Sequence, residues 1–359
     1  MRSVQRLPCL SITWSAGLGE FCWWQARHHA ERTAAIGRCF VTSPAIERHR
    51  GTARGHHPSI CGESIAMTTT ASSEQVLARA ARRAGLDLNN PEVIREGSHV
   101  IYRLGDIVAR MGKPGSLENA ERELRVSKWL NGSGIPTVAA VSELPQPIVV
   151  DDRPVTWWHL IPDHRPATPA ELGATLRALH SLASPTDFEL PSYDPFGDLR
   201  ERLADAGAAD DDDRMWLLTR YYELRQQYDK LPEPLRLSVI HGDAWQGNLV
   251  VPPSGIPTVL DLDKVSLGRP EWDLIQLAVD YTDFARVPEA DYRSFVNAYG
   301  GYDVTTWLAF RLFADIQELR WVGFALGQAE ASAAAAEQSK HRIECLRGEV
   351  TRPWRWEAL

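Results

Sequence analysis

Between residues 237 and 263 the sequence collects oxygen-bearing side chains at spacings that suit one kind of chemistry. Leu237-Ser-Val-Ile-His241-Gly-Asp243-Ala-Trp-Gln-Gly-Asn248-Leu-Val-Val251 reads as a strand, a polar loop and a second strand. Pro252-Pro-Ser-Gly255 turns the chain, and Ile256 to Leu260 reads as a third strand ending at Asp261-Leu-Asp263. Asp243, Asn248 and Asp261 therefore stand at predicted strand ends. A lone Asp in such a place is more often a turn former; three oxygen donors in this order ask for more. Phosphoryl transfer needs such a set, because its loose, charge-spread transition state is stabilised mainly by positioning and electrostatics. One carboxylate must stand by the acceptor hydroxyl and take its proton. A second carboxylate and an amide oxygen must hold Mg²⁺ against the phosphates, since Mg²⁺ is hard and takes oxygen ligands.

Asp243 and Asn248 share the D-x-x-x-x-N offset of the kinase catalytic loop, and Asp261 follows a β-hairpin, where the metal-binding Asp of kinases comes. With Gly268-Arg-Pro-Glu-Trp-Asp273-Leu downstream, these stretches together resemble the aminoglycoside phosphotransferase family, over about residues 72–330. The resemblance implies an α+β, bilobal, protein-kinase-like fold with a small antiparallel-sheet N-lobe and a larger helical C-lobe. It implies a Mg²⁺-requiring O-phosphotransferase that moves the γ-phosphate of ATP or GTP to a hydroxyl of a small molecule. Asp243 would then be the catalytic base and Asn248 and Asp261 the Mg²⁺ ligands. His241 and Asp273 would shape the loop, and Asp263 would be a second acid beside the metal.

The rest of a nucleotide site can be sought on that template. Glu96-Gly97-Ser98-His99-Val100 lies between two β-rich runs, and the Gly97 and Ser98 amides are candidates to approach phosphates. The following strand, Val108-Ala109-Arg110-Met111, offers Arg110 where kinases usually place Lys. An Arg cannot be deprotonated and forks well onto phosphate, so the chemistry survives the exchange. Its acid partner is expected on the next helix, in Glu121-Arg122-Glu123; Glu123 is favoured and Glu121 is the fallback, one helical position turning a side chain by about 100°. Thr156-Trp-Trp-His-Leu-Ile161 sits at the switch from sheet to helices. The backbone groups of His159, Leu160 and Ile161 are the expected adenine contacts there, and Trp157 and Trp158 suit either a core or an adenine wall.

These residues need elements to hold them. Ser72 or Ser73 can cap a helix running to about Ala84. Strands are expected around Val93-Ile94, over 100–104 and 107–111 with Gly105-Asp106 as the turn, and over 147–150 and 155–158 around Asp151-Asp152-Arg153. Leu117 to Leu130 has helical spacing. After Pro162 the pattern turns helical: Thr168-Pro169 opens a helix, Leu199–Leu203 and Met215–Tyr228 are further candidates, and helices return from Trp272 to Leu346. Asp210 to Asp213 reads as a solvated loop. His180, after a helical Leu stripe, reads as a packed or capping residue. The expected division is an extension over 1–66, an N-lobe over 67–161 and a C-lobe over 162–359.

Composition bounds the rest. The chain has 359 residues and a net charge of −8, with no run of 18 uncharged apolar residues, so neither a membrane nor a nucleic-acid partner is expected. Residues 1–66 carry eight Arg and four Glu, and four of the five cysteines, without a sustained period. They read as a disordered or untranslated extension ahead of Met67; an export signal and a metal-binding tail are the weaker readings. The thiols are expected reduced, in a cytoplasm. The remainder carries −12, which makes a cationic acceptor such as an amino sugar or amino alcohol electrostatically plausible. Asp280, Asp283, Asp315 and Glu318 are the candidate acids for it, unless they are solvated helix faces. Relatives that act on choline, homoserine or macrolides leave the acceptor open. A nucleotide-binding pseudokinase and a kinase of protein side chains are the other readings. There is no G-x-S-x-G nucleophile elbow.

Overall fold

The computed structural model describes residues 72–359 except 97, 98 and 235. The extension over 1–66 and the expected phosphate-loop residues Gly97 and Ser98 lie outside the described residues.

The first helix, α1 (Ser73–Ala84), starts at a reciprocal cap: Gln75 N–H donates to Ser72 Oγ at 3.3 Å and Ser72 N–H to Gln75 Oε1 at 3.1 Å. Val76, Leu77, Ala80, Ala81 and Ala84 form its buried stripe. It covers a five-stranded antiparallel sheet made of β1 (Glu92–Glu96), β2 (Val100–Leu104), β3 (Ile107–Met111), β4 (Ile148–Val150) and β5 (Arg153–His159), in the order β1-β2-β3-β5-β4. Asp151 and Asp152, both at positive φ, make the two-residue turn between β4 and β5, and Arg79 of α1 pairs with Asp151 at 2.7 Å. Trp157 is fully buried in the core beneath α1 and is a packing group; Trp158 is buried on the other face of β5, with its Nε1–H on Thr156 Oγ1.

Helix α2 (Leu117–Gly132) joins the two lobes. Its buried positions are Glu123, Val126, Ser127 and Leu130, one i, i+3, i+4, i+7 stripe, and Val126 and Leu130 enter the larger core of the second lobe. That core is built by α3 (Pro169–His180), α4 (Leu199–Ala204), α5 (Asp211–Asp229), α6 (Trp272–Thr282), α7 (Glu289–Tyr299), α8 (Phe310–Gln328) and α9 (Ala333–Leu346). Thr168 and Glu171 close a second reciprocal cap at the start of α3. Asp210 to Asp213 are not a loop. Asp210 caps α5 through Asp213 N–H at 2.8 Å and the next three carboxylates fill the first turn, where the helix dipole favours negative charge.

Five short strands lie among these helices: β6 (Arg165–Pro166), β7 (Ser238–Ile240), β8 (Leu249–Val251), β9 (Thr258–Val259) and β10 (Ser266–Gly268). The strands on either side of the polar loop do not pair with each other. β7 pairs with β10, while β8 pairs with β6 and β9. The loop from His241 to Asn248 thus bridges two ribbons. Among the described residues no helix is long and apolar enough to cross a membrane. The fold is α+β and kinase-like: a small antiparallel sheet with two helices, then a larger helical lobe.

Candidate active site

Asp273, in the first turn of α6, is buried and holds the polar loop by its backbone. Its Oδ2 accepts from His241 N–H at 2.6 Å and its Oδ1 from Gly242 N–H at 2.8 Å. His180 Nε2 lies 3.0 Å from the same Oδ2, and its Nδ1 is 2.9 Å from Tyr299 Oη. The loop carbonyl is held as well: Gly242 O accepts from Tyr193 Oη at 2.8 Å and Trp272 Nε1 at 3.1 Å. His241 turns inward, with Nε2 at 2.9 Å from Leu260 O and Nδ1 accepting from Asp243 N–H at 3.3 Å.

Gly242 has φ +82°, and a Cβ there would come within 2.6 Å of Lys264 O and 2.9 Å of Lys264 Cβ. Both objections are backbone-level, so the turn admits only glycine. Gly242→Ala is expected to cost about 1–3 kcal/mol and to lower the thermal midpoint by several degrees. A melt that superimposes on the wild type would refute this.

Asn248 ends a single 3₁₀ turn (Gln246–Asn248). Its Nδ2 donates to Asp243 O at 2.9 Å, and its own carbonyl accepts from Leu260 N–H at 2.9 Å. The second contact ties the loop to the residue before Asp261. Asp261 has φ +54° and ψ +66°, a left-handed conformation that Asp tolerates better than most residues, and it opens another 3₁₀ turn (Leu262–Lys264). That turn packs against α2, and Arg122 Nη2 donates to Asp263 O at 3.0 Å.

The two lobes meet at Arg110. This β3 side chain is 8% exposed; Nη1 bonds Glu123 Oε1, and Nη2 reaches Asp261 Oδ1 at 3.0 Å and Asp263 Oδ2 at 4.0 Å. The structure thus selects Glu123 over Glu121, which is exposed. The reason is angular, because Glu123 shares the buried stripe of Val126 and Leu130 while Glu121 is turned about 200° away. Sequence reasoning gave no role to His99, whose Nδ1 is 3.3 Å from Arg110 Nη2. Burial first, and then Arg110, push the His99 pKa down to about 3, so the ring is neutral and Nδ1 accepts.

Asp243 is open to solvent at its surface but faces the lobe junction. Loss of hydration there is the main force raising its carboxyl to about 6; Asp261 and Asp263 push the same way, and His241 and Arg320 oppose. Burial, then Asp261, raises Asp263 too. Three carboxylates, an amide oxygen and one buried guanidinium therefore share this junction. Among the described residues no three His, Cys, Asp or Glu side chains form a closed metal cage. A hard cation that keeps waters and phosphate oxygens needs fewer protein ligands, and one carboxylate plus one amide oxygen suits it. The Asn248 amide nitrogen is spent on Asp243 O, which leaves its oxygen for a cation.

At the hinge, two of the three backbone N–H groups are already engaged, while the carbonyls stay among the expected contacts. His159 N–H donates to Ala139 O and Leu160 N–H to Asp106 O, each at 2.9 Å. As donors the expectation narrows to Ile161 N–H, which makes no protein hydrogen bond among the described residues.

The four acids considered for a cationic acceptor are all paired with arginines, Asp283 and Glu318 buried and Asp280 and Asp315 half-buried. Asp280 pairs with Arg286 at 2.9 Å, and Asp283 with Arg311 at 2.6 Å. Asp315 pairs with Arg220 and Arg311, and Glu318 with Arg311 and Arg352. Asp315 and Glu318 line a cavity of about 290 Å³ that includes none of Asp243, Asn248 or Asp261.

Burial, and then a hydrogen bond with Asp283, raise the Glu318 carboxyl to about 8, while bonds from Glu318 and Arg311 hold Asp283 below its usual value despite its burial. The folded state keeps the Glu318 proton that the unfolded chain sheds near pH 4.5. Stability from Glu318 is therefore full below that pH and is lost as pH rises toward 8. Thermal midpoints are expected to fall across this window and Glu318→Gln to flatten the fall. Equal slopes for the two proteins would remove Glu318 as the cause.

A sequence model of the phosphotransferase enzyme family matches residues 81–313. No match is found among curated proteins. Several solved structures share the fold. A choline/ethanolamine kinase family protein from Mesorhizobium loti is 18% identical, with 76% of this chain and 94% of that chain covered and a TM-score of 0.54. An amicoumacin kinase in complex with AMP-PNP, Ca²⁺ and Ami is 13% identical, with 78% and 95% covered and a TM-score of 0.60. An aminoglycoside phosphotransferase from Streptomyces rimosus, in complex with ADP and streptomycin, is 18% identical, with 69% and 99% covered and a TM-score of 0.51.

Proposed function

Because this chain belongs to the phosphotransferase enzyme family, we propose that it is a Mg²⁺-requiring kinase that moves the γ-phosphate of ATP or GTP to a hydroxyl of a small molecule. The observation that carries this reading is the meeting of Arg110, Glu123 and Asp261 across the two lobes, with Asn248 stitched to the residue before Asp261 and Asp243 on the same loop.

In this reading Asp243 orients the acceptor hydroxyl and takes its proton as the oxygen attacks. A carboxyl raised to about 6 suits a base that must work near neutrality. Asn248 and Asp261 would hold the divalent ion, and Asp263 stands beside them. When bound, that ion would neutralise charge on the β- and γ-phosphates. Arg110, held by Glu123, grips the phosphates that stay behind; Gly97 and Ser98 would offer backbone amides to the same phosphates, and backbone groups of His159, Leu160 and Ile161 would meet the base, with Ile161 N–H as the donor. His241 and Asp273 hold the loop and do not react.

The acids once suited to a cationic acceptor are consumed by arginines, so charge complementarity does not single out an amine. The acceptor class is defined here by its hydroxyl. The test offers purified protein ATP and GTP against amino sugars, amino alcohols, hydroxy acids and a peptide pool, with mass spectrometry of the products. A small molecule heavier by one phosphate is expected with one nucleotide or both. Phosphorylated peptide alone would replace this reading with a protein kinase. Tight nucleotide binding without any product would replace it with a nucleotide-binding module.

A further inference from the structure

Arg110 carries two claims that compete. The proposed function needs its guanidinium on phosphate and Asp261 on a divalent cation, yet the two side chains are bonded to each other at 3.0 Å. The contact is well built. Nη1 is held by the buried Glu123, and His99 accepts from the same Nη2 that reaches Asp261. Arg110 and Glu123 are 8% and 5% exposed, so water does little to weaken the charges. A guanidinium fork can bond two carboxylates at once from separate nitrogens, which a Lys ammonium does with a single point charge.

A cation arriving at Asp261 therefore meets an oxygen already bonded to a positive group. A triphosphate changes that balance, because its oxygens are strong acceptors for guanidinium and draw Nη2 away from the carboxylate. We infer that Arg110 is a gate on the cation site, competing with the divalent ion for Asp261 until nucleotide phosphates engage it, so that nucleotide and metal bind with positive coupling beyond their mutual chelation. Coupling of this kind is typically about 5- to 150-fold and is reciprocal.

The inference rests on Asp261 being a cation ligand, as proposed above, and the test separates the two. Mn²⁺ binding to the full chain is measured by electron paramagnetic resonance without nucleotide. Arg110→Met, and the double variant Arg110→Met with Glu123→Gln that leaves no unpaired buried carboxylate, are expected to bind Mn²⁺ more tightly than the wild type by about 5- to 150-fold. Arg110→Lys is expected to fall between them and the wild type. Lys264→Met controls for net charge, since Lys264 is exposed and forms no ion pair with Asp261 among the described residues. Wild-type affinity in both Arg110→Met proteins overturns the gate, and so does equal tightening in Lys264→Met. Adding Asp261→Asn to Arg110→Met is expected to abolish the gain; tight binding that survives it would show that Asp261 is no ligand, and the functional reading would fail at that residue instead.

Discussion

Replacing Asp243 by Asn is expected to lower phosphoryl transfer about 10²- to 10⁴-fold, the range a positioned general base supplies, while nucleotide affinity stays nearly unchanged. The substitution is close to isosteric and spares the scaffold. The backbone of residue 243 is held by others: its N–H donates to His241 Nδ1 at 3.3 Å and its carbonyl accepts from Asn248 Nδ2 at 2.9 Å. An amide keeps the shape and loses the ability to take a proton. In barrier terms the loss is about 3–5 kcal/mol, at 1.36 kcal/mol per tenfold. Steady-state rates with an accepted substrate, set beside calorimetric nucleotide affinity, decide it. Turnover within a few-fold of the wild type would move the proton acceptor elsewhere.

Asp273→Ala is expected to lower both stability and turnover, although Asp273 touches no reacting atom in the proposed mechanism. Its carboxylate is buried and receives two backbone amides of the catalytic loop, with His180 behind it. Alanine leaves two buried N–H groups without acceptors, at about 1–3 kcal/mol each. That is a large share of a typical folding free energy of about 5–15 kcal/mol. The turn at Gly242, already at φ +82°, then lacks the clamp that fixes it. Asp273→Asn keeps one acceptor oxygen and is expected to lie between the wild type and Ala. Denaturant midpoints and rates of all three proteins check the order. An Ala variant as stable and as active as the wild type would end the clamp assignment.

The parts that local chemistry dictates were legible before any coordinates. Ser72 or Ser73, and Thr168-Pro169, mark two helix starts because a side-chain oxygen or a proline suits the first turn; the structure then picks Ser72 and closes both caps with Gln75 and Glu171. Asp151-Asp152 places a hairpin because two residues at positive φ match the strand twist. The offset from Asp243 to Asn248 was readable for the same reason, since one short loop carries both residues. Where readings went wrong, a distant partner decided. The partners of the strands flanking that loop were not legible: they belong to two ribbons, because β10, β6 and β9 bring hydrogen-bonding edges from elsewhere in the chain. Asp210 to Asp213 looked like a loop because four carboxylates repel one another; a cap and a helix dipole offset that repulsion.

Sequence by itself determined the order of the elements and the residue types of the site, since caps, turns and the loop motif act over a few positions. The sequence favoured Glu123 over Glu121 for Arg110, but tertiary structure alone decided that His99 joins them, that His159 and Leu160 have spent their amides, and that the acids of α6 and α8 are answered by arginines. Each of these depends on the angle at which one element packs against another. Packing angles are set by the summed burial of many side chains, and no short stretch of residues carries that sum.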